Sequence, residues 1–93
     1  MKIHITESGS SGHAFIGDEN APLAEMSYSK VGETMIIIDH TDVSESMRGQ
    51  GVGRKLLDAV IQMAREKRLK FLPLCPYAKS VFDKDTSIRD ILK

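Results

Sequence analysis

The chain is short of three things: cysteine, excess charge of either sign, and long apolar runs. Each shortage removes a class of protein. A single cysteine among 93 residues leaves no internal disulfide and no structural zinc site built from several thiolates, so no metal is expected. Thirteen Lys and Arg balance thirteen Asp and Glu. That speaks against a nucleic-acid binder, whose affinity rests on a strongly positive surface. No stretch approaches the roughly 20 apolar residues of a membrane span, and the opening "MKIHITESGS" is too polar for a secretory signal. Internal repeats, low-complexity tracts and linkers are also missing. The expectation is one soluble domain over residues 1–93, in the cytoplasm, with neither nucleic acid nor membrane as partner. At 41% hydrophobic residues it has material for one modest core.

Hydrophobic periodicity changes near the middle. "KIHIT" alternates, with Ile3 and Ile5 against His4 and Thr6, as in a half-buried strand. "HAFIGDE" and "LAEMSYSKVGE" continue the alternation, the second with Ala24, Met26 and Tyr28 on one face and Leu23, Glu25, Ser27 and Ser29 on the other. "ESGSSGHAF" between the first strands reads as a hairpin loop, and Gly32 supplies a later turn. The β-branched run 36–38 in "TMIIIDHTDV" is continuous, which predicts a central strand covered on both faces. After it, Val52, Leu56, Val60, Met63 and Ala64 recur at steps of three and four, the stripe of an amphipathic helix. Basic residues crowd the end of that helix. "KFLPLC" reads as a short strand, Pro76 opens a further helix in "YAKSVFDK", and "DTSIRDILK" supplies a last turn or two. Strand, loop, helix and strand from 34 to 75 make a βαβ crossover. The predicted fold is α/β: a mostly antiparallel sheet of about five strands, one main crossover helix and short C-terminal helices.

Between the last antiparallel strand and the helix stands "RGQGVGR", with glycines at 49, 51 and 53. It is not the dinucleotide fingerprint G-x-G-x-x-G, because Arg54 stands where the last glycine belongs. Nor is it the nucleoside-triphosphate loop, which Leu56 excludes. The physics shared by such loops still applies. Glycines turn backbone N–H groups toward one point and let a ligand approach without a Cβ in the way. The following helix aims its free N–H groups at the same point, and Arg48, Arg54 or Lys55 can add charge-assisted bonds. An anion, most plainly a pyrophosphate, suits that place; an idle glycine turn is the bland alternative.

"RGQGVG" also resembles the signature [QR]-x-x-G-x-[GA] of the GNAT superfamily of N-acetyltransferases, with Arg48, Gly51 and Gly53 at its defined positions. The strand "HTDV" before the loop, the long helix after it and "CPYAKSVFDK", similar to the family's N-x-x-A-x-x-x-Y helix, agree with this. The small single-domain members with "PLCP" are the most similar, and the resemblance covers residues 34–84. It implies a minimal GNAT-like fold that binds acetyl-CoA and transfers its acetyl group to an amine. The loop backbone would hold the pyrophosphate through Arg48, Gly49, Gln50, Gly51, Val52, Gly53 and Arg54, with Thr41, Val43 and Cys75 completing the acetyl-CoA contacts. The chain departs from the family in having no room for two helices between the first strands and little for the last two strands. Cys75 replaces the helix asparagine, and Phe82 replaces the tyrosine that usually protonates the departing thiolate.

Three residues are candidates for proton handling. His40, at the end of the apolar strand, is the leading candidate base, a histidine being the residue type suited to that work; a histidine bonded structurally at a strand end is the equal alternative, and Glu25 and Glu33 are the other candidates. Cys75, which the resemblance places near the pantetheine sulfur, is a candidate acetyl acceptor, disulfide partner or proton donor; a buried inert thiol is the alternative. Tyr77 is the other available donor. The partners implied are acetyl-CoA and an unidentified amine, for a monomer or weak homodimer. A non-catalytic acyl-CoA-binding module is the rival reading.

Overall fold

A computed structural model describes residues 2–92. Four strands follow one another as a meander: β1 His4–Ser8, β2 Ser11–Asp18, β3 Ala21–Val31 and β4 Met35–Val43. After a single 3-10 turn, Glu45–Met47, come helix α1 Val52–Lys67, strand β5 Lys70–Pro73, helix α2 Pro76–Lys84 and a second 3-10 segment, Thr86–Ile91. The sheet order is β1-β2-β3-β4-β5. The first four strands are antiparallel and β5 lies parallel to β4, as a strand reached by a helical crossover must. Both the mixed sheet and the single long helix agree with the reading of the sequence.

The helices cover one face of the sheet. Ala14, Ile16, Ala24, Met26, Tyr28, Ile36 and Ile38 point into a single core shared with Val52, Leu56, Leu57, Val60, Ile61 and Ala64 of α1 and with Ala78 and Phe82 of α2. Phe71 of β5 meets Phe82 edge to face at 5.7 Å, which puts α2 on the same side as α1. Two expectations need correction. The run 36–38 is covered on one side only, since Ile36 and Ile38 are fully buried while Ile37 is partly exposed on the bare face. The buried stripe of α1 is also turned toward Leu57 and Ile61, leaving Met63 at its margin.

One irregularity positions the site. Along the β3–β4 pair, Tyr28 is opposite Ile38 but Ser27 is opposite His40, so Asp39 is an extra residue, a β-bulge. Residues directly opposite share a face. Beyond the bulge Thr41 therefore joins Met26 on the helix-covered face, and His40 joins Ser27 on the bare one. With the same residues and no bulge, the alternation would have run the other way.

Candidate active site

β4 and β5 pair only over residues 35–38 and 70–73. Pro73, opposite Ile38, has no N–H to carry the ladder on, and the last bond across the pair is the Cys75 N–H to the Ile38 carbonyl, 3.2 Å. From Asp39 to Val43, β4 keeps β3 on one side and, among the described residues, has no strand on the other. The two strands thus part at the bulge, leaving a strip of free backbone edge that leads toward the glycine loop.

At the far end of that strip lies a cavity of about 230 Å³ lined by Thr41, Val43, Met47, Arg48, Gly49, Gly51, Val52, Gly53 and Tyr77. Its floor is the N-terminus of α1. That end has no side-chain cap and no acidic residue in its first turn, so its free N–H groups and positive dipole end face the cavity unopposed. The glycines serve two different needs. Gly49 (φ +82°) and Gly51 (φ +68°) sit in left-handed backbone, and a Cβ at either would meet no atom within 4 Å. Gly53 has ordinary helical backbone but lies under the Tyr77 ring, where a Cβ would come within 3.0 Å of the ring's Cζ.

The surrounding charges are arranged unequally. Arg48 is exposed, has no carboxylate partner among the described residues, and makes only a long 3.4 Å contact from Nε to the Val43 carbonyl. Arg54 is committed elsewhere, donating to Asp58 at 2.8 Å and to Asp85 at 2.6 Å, which ties α1 to the C-terminal segment. Gln50 turns back to donate to the Ser46 carbonyl.

Cys75 and Tyr77 stand where α2 begins. The Cys75 thiol is buried behind the cavity, 3.3 Å from the Thr41 hydroxyl. Burial would push this thiol up, but the Thr41 hydroxyl and the backbone N–H groups of Ala78, Tyr77 and Thr41 outweigh it and hold the pKa below its ordinary value. Tyr77 moves the opposite way: burial raises it against the pull of Arg54, with Asp58 and Cys75 adding to the rise, so its hydroxyl stays protonated. Phe82 is fully in the core, against Phe71.

Of the residues singled out from the sequence, the structure gathers Thr41, Val43, Arg48, Gly49, Gly51, Val52, Gly53 and Tyr77 around one cavity, with Cys75 just behind Thr41. Gln50 and Arg54 flank it without lining it. His40 lies exposed on the bare face of the sheet; Glu25, partly buried, lies on the same face and pairs its carboxylate with His13. Glu33 sits in the exposed turn between β3 and β4. Met47 lines the cavity too; nothing in the glycine pattern signals it, because it enters from the 3-10 turn before the loop.

Comparison with known proteins bears on this geometry. Residues 13–91 match the family of GCN5-related N-acetyl-transferases. No functionally curated protein matches the chain at a significant level. The solution structure of a GCN5-like protein from Staphylococcus aureus, a proposed N-acetyltransferase, is 43% identical and superposes with a TM-score of 0.76, over 97% of this chain and 87% of that one. Two more distant structures share the fold. A ribosomal-protein-alanine N-acetyltransferase from Brucella melitensis biovar Abortus superposes with a TM-score of 0.68 at 15% identity, over 83% of this chain and 62% of that one. A GNAT family acetyltransferase from Elizabethkingia anophelis, with acetyl-CoA bound, superposes with a TM-score of 0.63 at 19% identity, over 77% of this chain and 63% of that one. This chain therefore spans under two thirds of either. With the family matched over most of the chain, and a relative at 43% identity along almost all of it, the chain belongs to the GCN5-related N-acetyltransferases, a family of acetyl-CoA-dependent acetyltransferases.

Proposed function

We propose that this chain holds acetyl-CoA across the parted strands β4 and β5 and transfers its acetyl group to an amine that approaches from the bare face of the sheet. The observation that carries the reading is the continuity of two unsatisfied surfaces: the uncapped N-terminus of α1 and the free edge of β4 that runs up to it. The first suits a pyrophosphate, bound by the N–H groups of Gly49, Gly51, Val52 and Gly53, with the unpaired Arg48 adding charge. Gln50 and Arg54 frame the loop. The second suits a pantetheine arm, whose amides can pair with backbone at Thr41 and Val43 in place of the missing strand. A structure from this family carries acetyl-CoA, which supports acetyl-CoA as the molecule held here.

Two groups near the strand opening can manage protons on the thioester side. Tyr77 stays protonated and can donate to a departing thiolate, the task Phe82 lacks a hydroxyl for. Cys75, with its lowered pKa and its bond to Thr41, is the alternative donor or a transient acceptor of acetyl. His40 is on the other side of the sheet, where a base for the incoming amine belongs.

Calorimetric titration of acetyl-CoA and of desulfo-CoA into the reduced protein tests the reading. Saturable binding of both is expected, because the pyrophosphate and the arm carry the contacts. Replacing the exposed Arg48 with Ala should weaken both about tenfold without disturbing the fold, one charge-assisted bond being lost. No saturation with either ligand would remove the acetyl-CoA site. Binding without CoA release above buffer hydrolysis, whatever amine is supplied, would favour an acyl-CoA-binding module instead.

A further inference from the structure

Three cations stand around the glycine loop, and only one of them is neutralised. Arg48 and Lys55 are exposed and have no carboxylate partner among the described residues. Arg54 donates from Nε to Asp58 at 2.8 Å and from Nη2 to Asp85 at 2.6 Å. The two carboxylates come from different elements. Asp58 lies one turn further along α1, and Asp85 stands where α2 ends and the second 3-10 segment begins. Asp85 is itself fixed, because its other oxygen accepts from the Ser87 N–H at 2.9 Å and from the Ser87 hydroxyl. Ser87 and Arg54 hold its carboxyl down at about 2, so it is charged at any working pH. The direction Arg54 takes is informative. The Cα–Cβ bond of a helical residue tilts toward the helix N-terminus, so a relaxed Arg54 in the first turn of α1 would reach back toward the free N–H groups. Asp58, four residues on, draws it the other way, and Asp85 completes the hold. Arg54 accordingly does not line the cavity, although it is close enough to act on the hydroxyl of Tyr77, which does.

We propose that Asp58 and Asp85 are positioning residues that hold Arg54 off the cavity, and so limit how tightly the chain grips the diphosphate of CoA. The proposal rests on the acetyl-CoA reading above for its ligand. Charge supplies one argument. Arg54, Asp58 and Asp85 together are net negative, so the arrangement withholds a cation from the mouth of the cavity and also lowers the positive potential there. Arg48 and the uncapped end of α1 are left to attract the anion. The chemistry of the ligand supplies another. Acetyl-CoA and CoA carry the same diphosphate, so a stronger grip on it stabilises substrate, transition state and product alike. Such uniform binding adds nothing to the chemical step, and it slows the departure of CoA, a step that limits many enzymes. A purely structural tie between α1 and the C-terminal segment would use the same ion pairs but predicts the opposite response. Loosening such a tie would loosen the cavity and weaken the ligand, whereas releasing a withheld arginine should strengthen it.

The test is calorimetric titration of CoA, and separately of inorganic pyrophosphate, into the full chain and its variants at low and high salt. Asparagine at 85 can still accept from Ser87 and removes only the charge. The Asp58→Asn, Asp85→Asn double variant should bind CoA about five- to tenfold more tightly at low salt, a gain that shrinks as salt is added. Stopped-flow displacement should show the gain as slower CoA dissociation. Adding Arg54→Ala to the double variant should erase most of it. Asp58→Asn alone, on the exposed surface of α1, serves if the double variant does not fold, with a gain of about two- to threefold expected. Unchanged or weaker CoA binding in folded asparagine variants overturns the proposal, as does a gain that persists without Arg54. Saturable binding of CoA to the unmodified chain upholds the acetyl-CoA reading whichever way the variants fall. If CoA binds to none of these proteins, that reading fails and pyrophosphate decides the role of Arg54. Tighter pyrophosphate binding in the asparagine variants then upholds it, and equal or absent binding overturns it.

Discussion

Gly53 offers a clean separation of two explanations for a signature glycine. One holds that the position is open for a ligand, the other that a neighbouring side chain needs the room. An alanine there keeps ordinary helical backbone and gains helix propensity, about 0.5–1 kcal/mol in a first turn. Its Cβ would lie 3.0 Å from Tyr77 Cζ, 3.1 Å from the hydroxyl oxygen and 3.2 Å from Cε2. Contacts that tight force the ring aside. Tyr77 is only half-buried and can tilt, so the cost should sit near the lower end of overpacking penalties, about 1 kcal/mol. The two effects nearly cancel, and Gly53→Ala should leave the unfolding free energy within about 0.5 kcal/mol of the parent. In a Tyr77→Ala background the clash is gone, and the same change should stabilise by about 0.5–1 kcal/mol, several degrees in Tm for a domain of this size. Urea and thermal unfolding of the four proteins measure the coupling, expected at about 1 kcal/mol. The displaced ring should also narrow the cavity, weakening acetyl-CoA about tenfold in Gly53→Ala alone. An identical stability change with and without the Tyr77 ring would refute the reasoning, and Gly53 would then answer to something other than Tyr77.

Other perturbations follow from the same geometry. Burial would raise the Glu7 carboxyl, but Lys30, Tyr28 and Lys67 hold it down from 4.5 to about 2. A depressed carboxyl stabilises the fold fully above about pH 5, and that contribution disappears as pH falls toward 2. Glu7→Gln should therefore cost about 1–2 kcal/mol at neutral pH, after allowing for solvent screening, and almost nothing near pH 2, as urea titrations at several pH values would show. Arg68 ends α1 in left-handed backbone, φ +58°; Arg68→Gly should raise stability by about 0.5–1 kcal/mol, and a lower Tm would contradict that. Gly12 faces the Tyr28 ring, which a Cβ would approach to 2.5 Å, so Gly12→Ala should cost about 2 kcal/mol or more, with loss of the Tyr28–Glu7 bond visible in the Glu7 titration. Thr41→Val removes the hydroxyl that favours the Cys75 thiolate and should move the thiol's titration, read by ultraviolet absorbance, to higher pH. An unmoved curve would assign the effect to the backbone N–H groups.

Much of this architecture was legible in the sequence because its signals are local. Alternation in "LAEMSYSKV" separates the Ala24, Met26 and Tyr28 face from the Glu25 and Ser27 face, and the structure buries the former. The change to a period of three and four locates α1, and Pro73 marks where the β4–β5 ladder stops. The run of isoleucines was less informative. Three consecutive β-branched residues suit a strand covered on both sides, yet Ile37 faces outward, because partly exposed apolar residues on a sheet face cost little and leave no pattern. The second role of glycine was also hidden. Gly49 and Gly51 answer to their own backbone, but Gly53 answers to Tyr77, twenty-four positions along the chain, and only packing reveals that.

The bulge at Asp39 was the least legible feature, and it decides which side chains of β4 face the cavity. Counting two residues per pleat from Ile38 puts His40 among the helices and Thr41 outside, which is how a histidine just ahead of the glycine loop comes to look like part of the loop's cavity. One unpaired residue reverses this. Thr41 and Val43 turn inward to meet Cys75 and the free end of α1, while His40 and Asp42 turn outward onto the bare face. No residue type compels a bulge here, since Asp39 is neither glycine nor proline. Under the proposed acetyl transfer, the inserted residue sets Thr41 and His40, the groups beside the thioester and the amine, on opposite faces of one strand. Were the same residues to alternate from Ile38 with no bulge, His40 and Asp42 would fall on the helix side and Thr41 would turn away from Cys75.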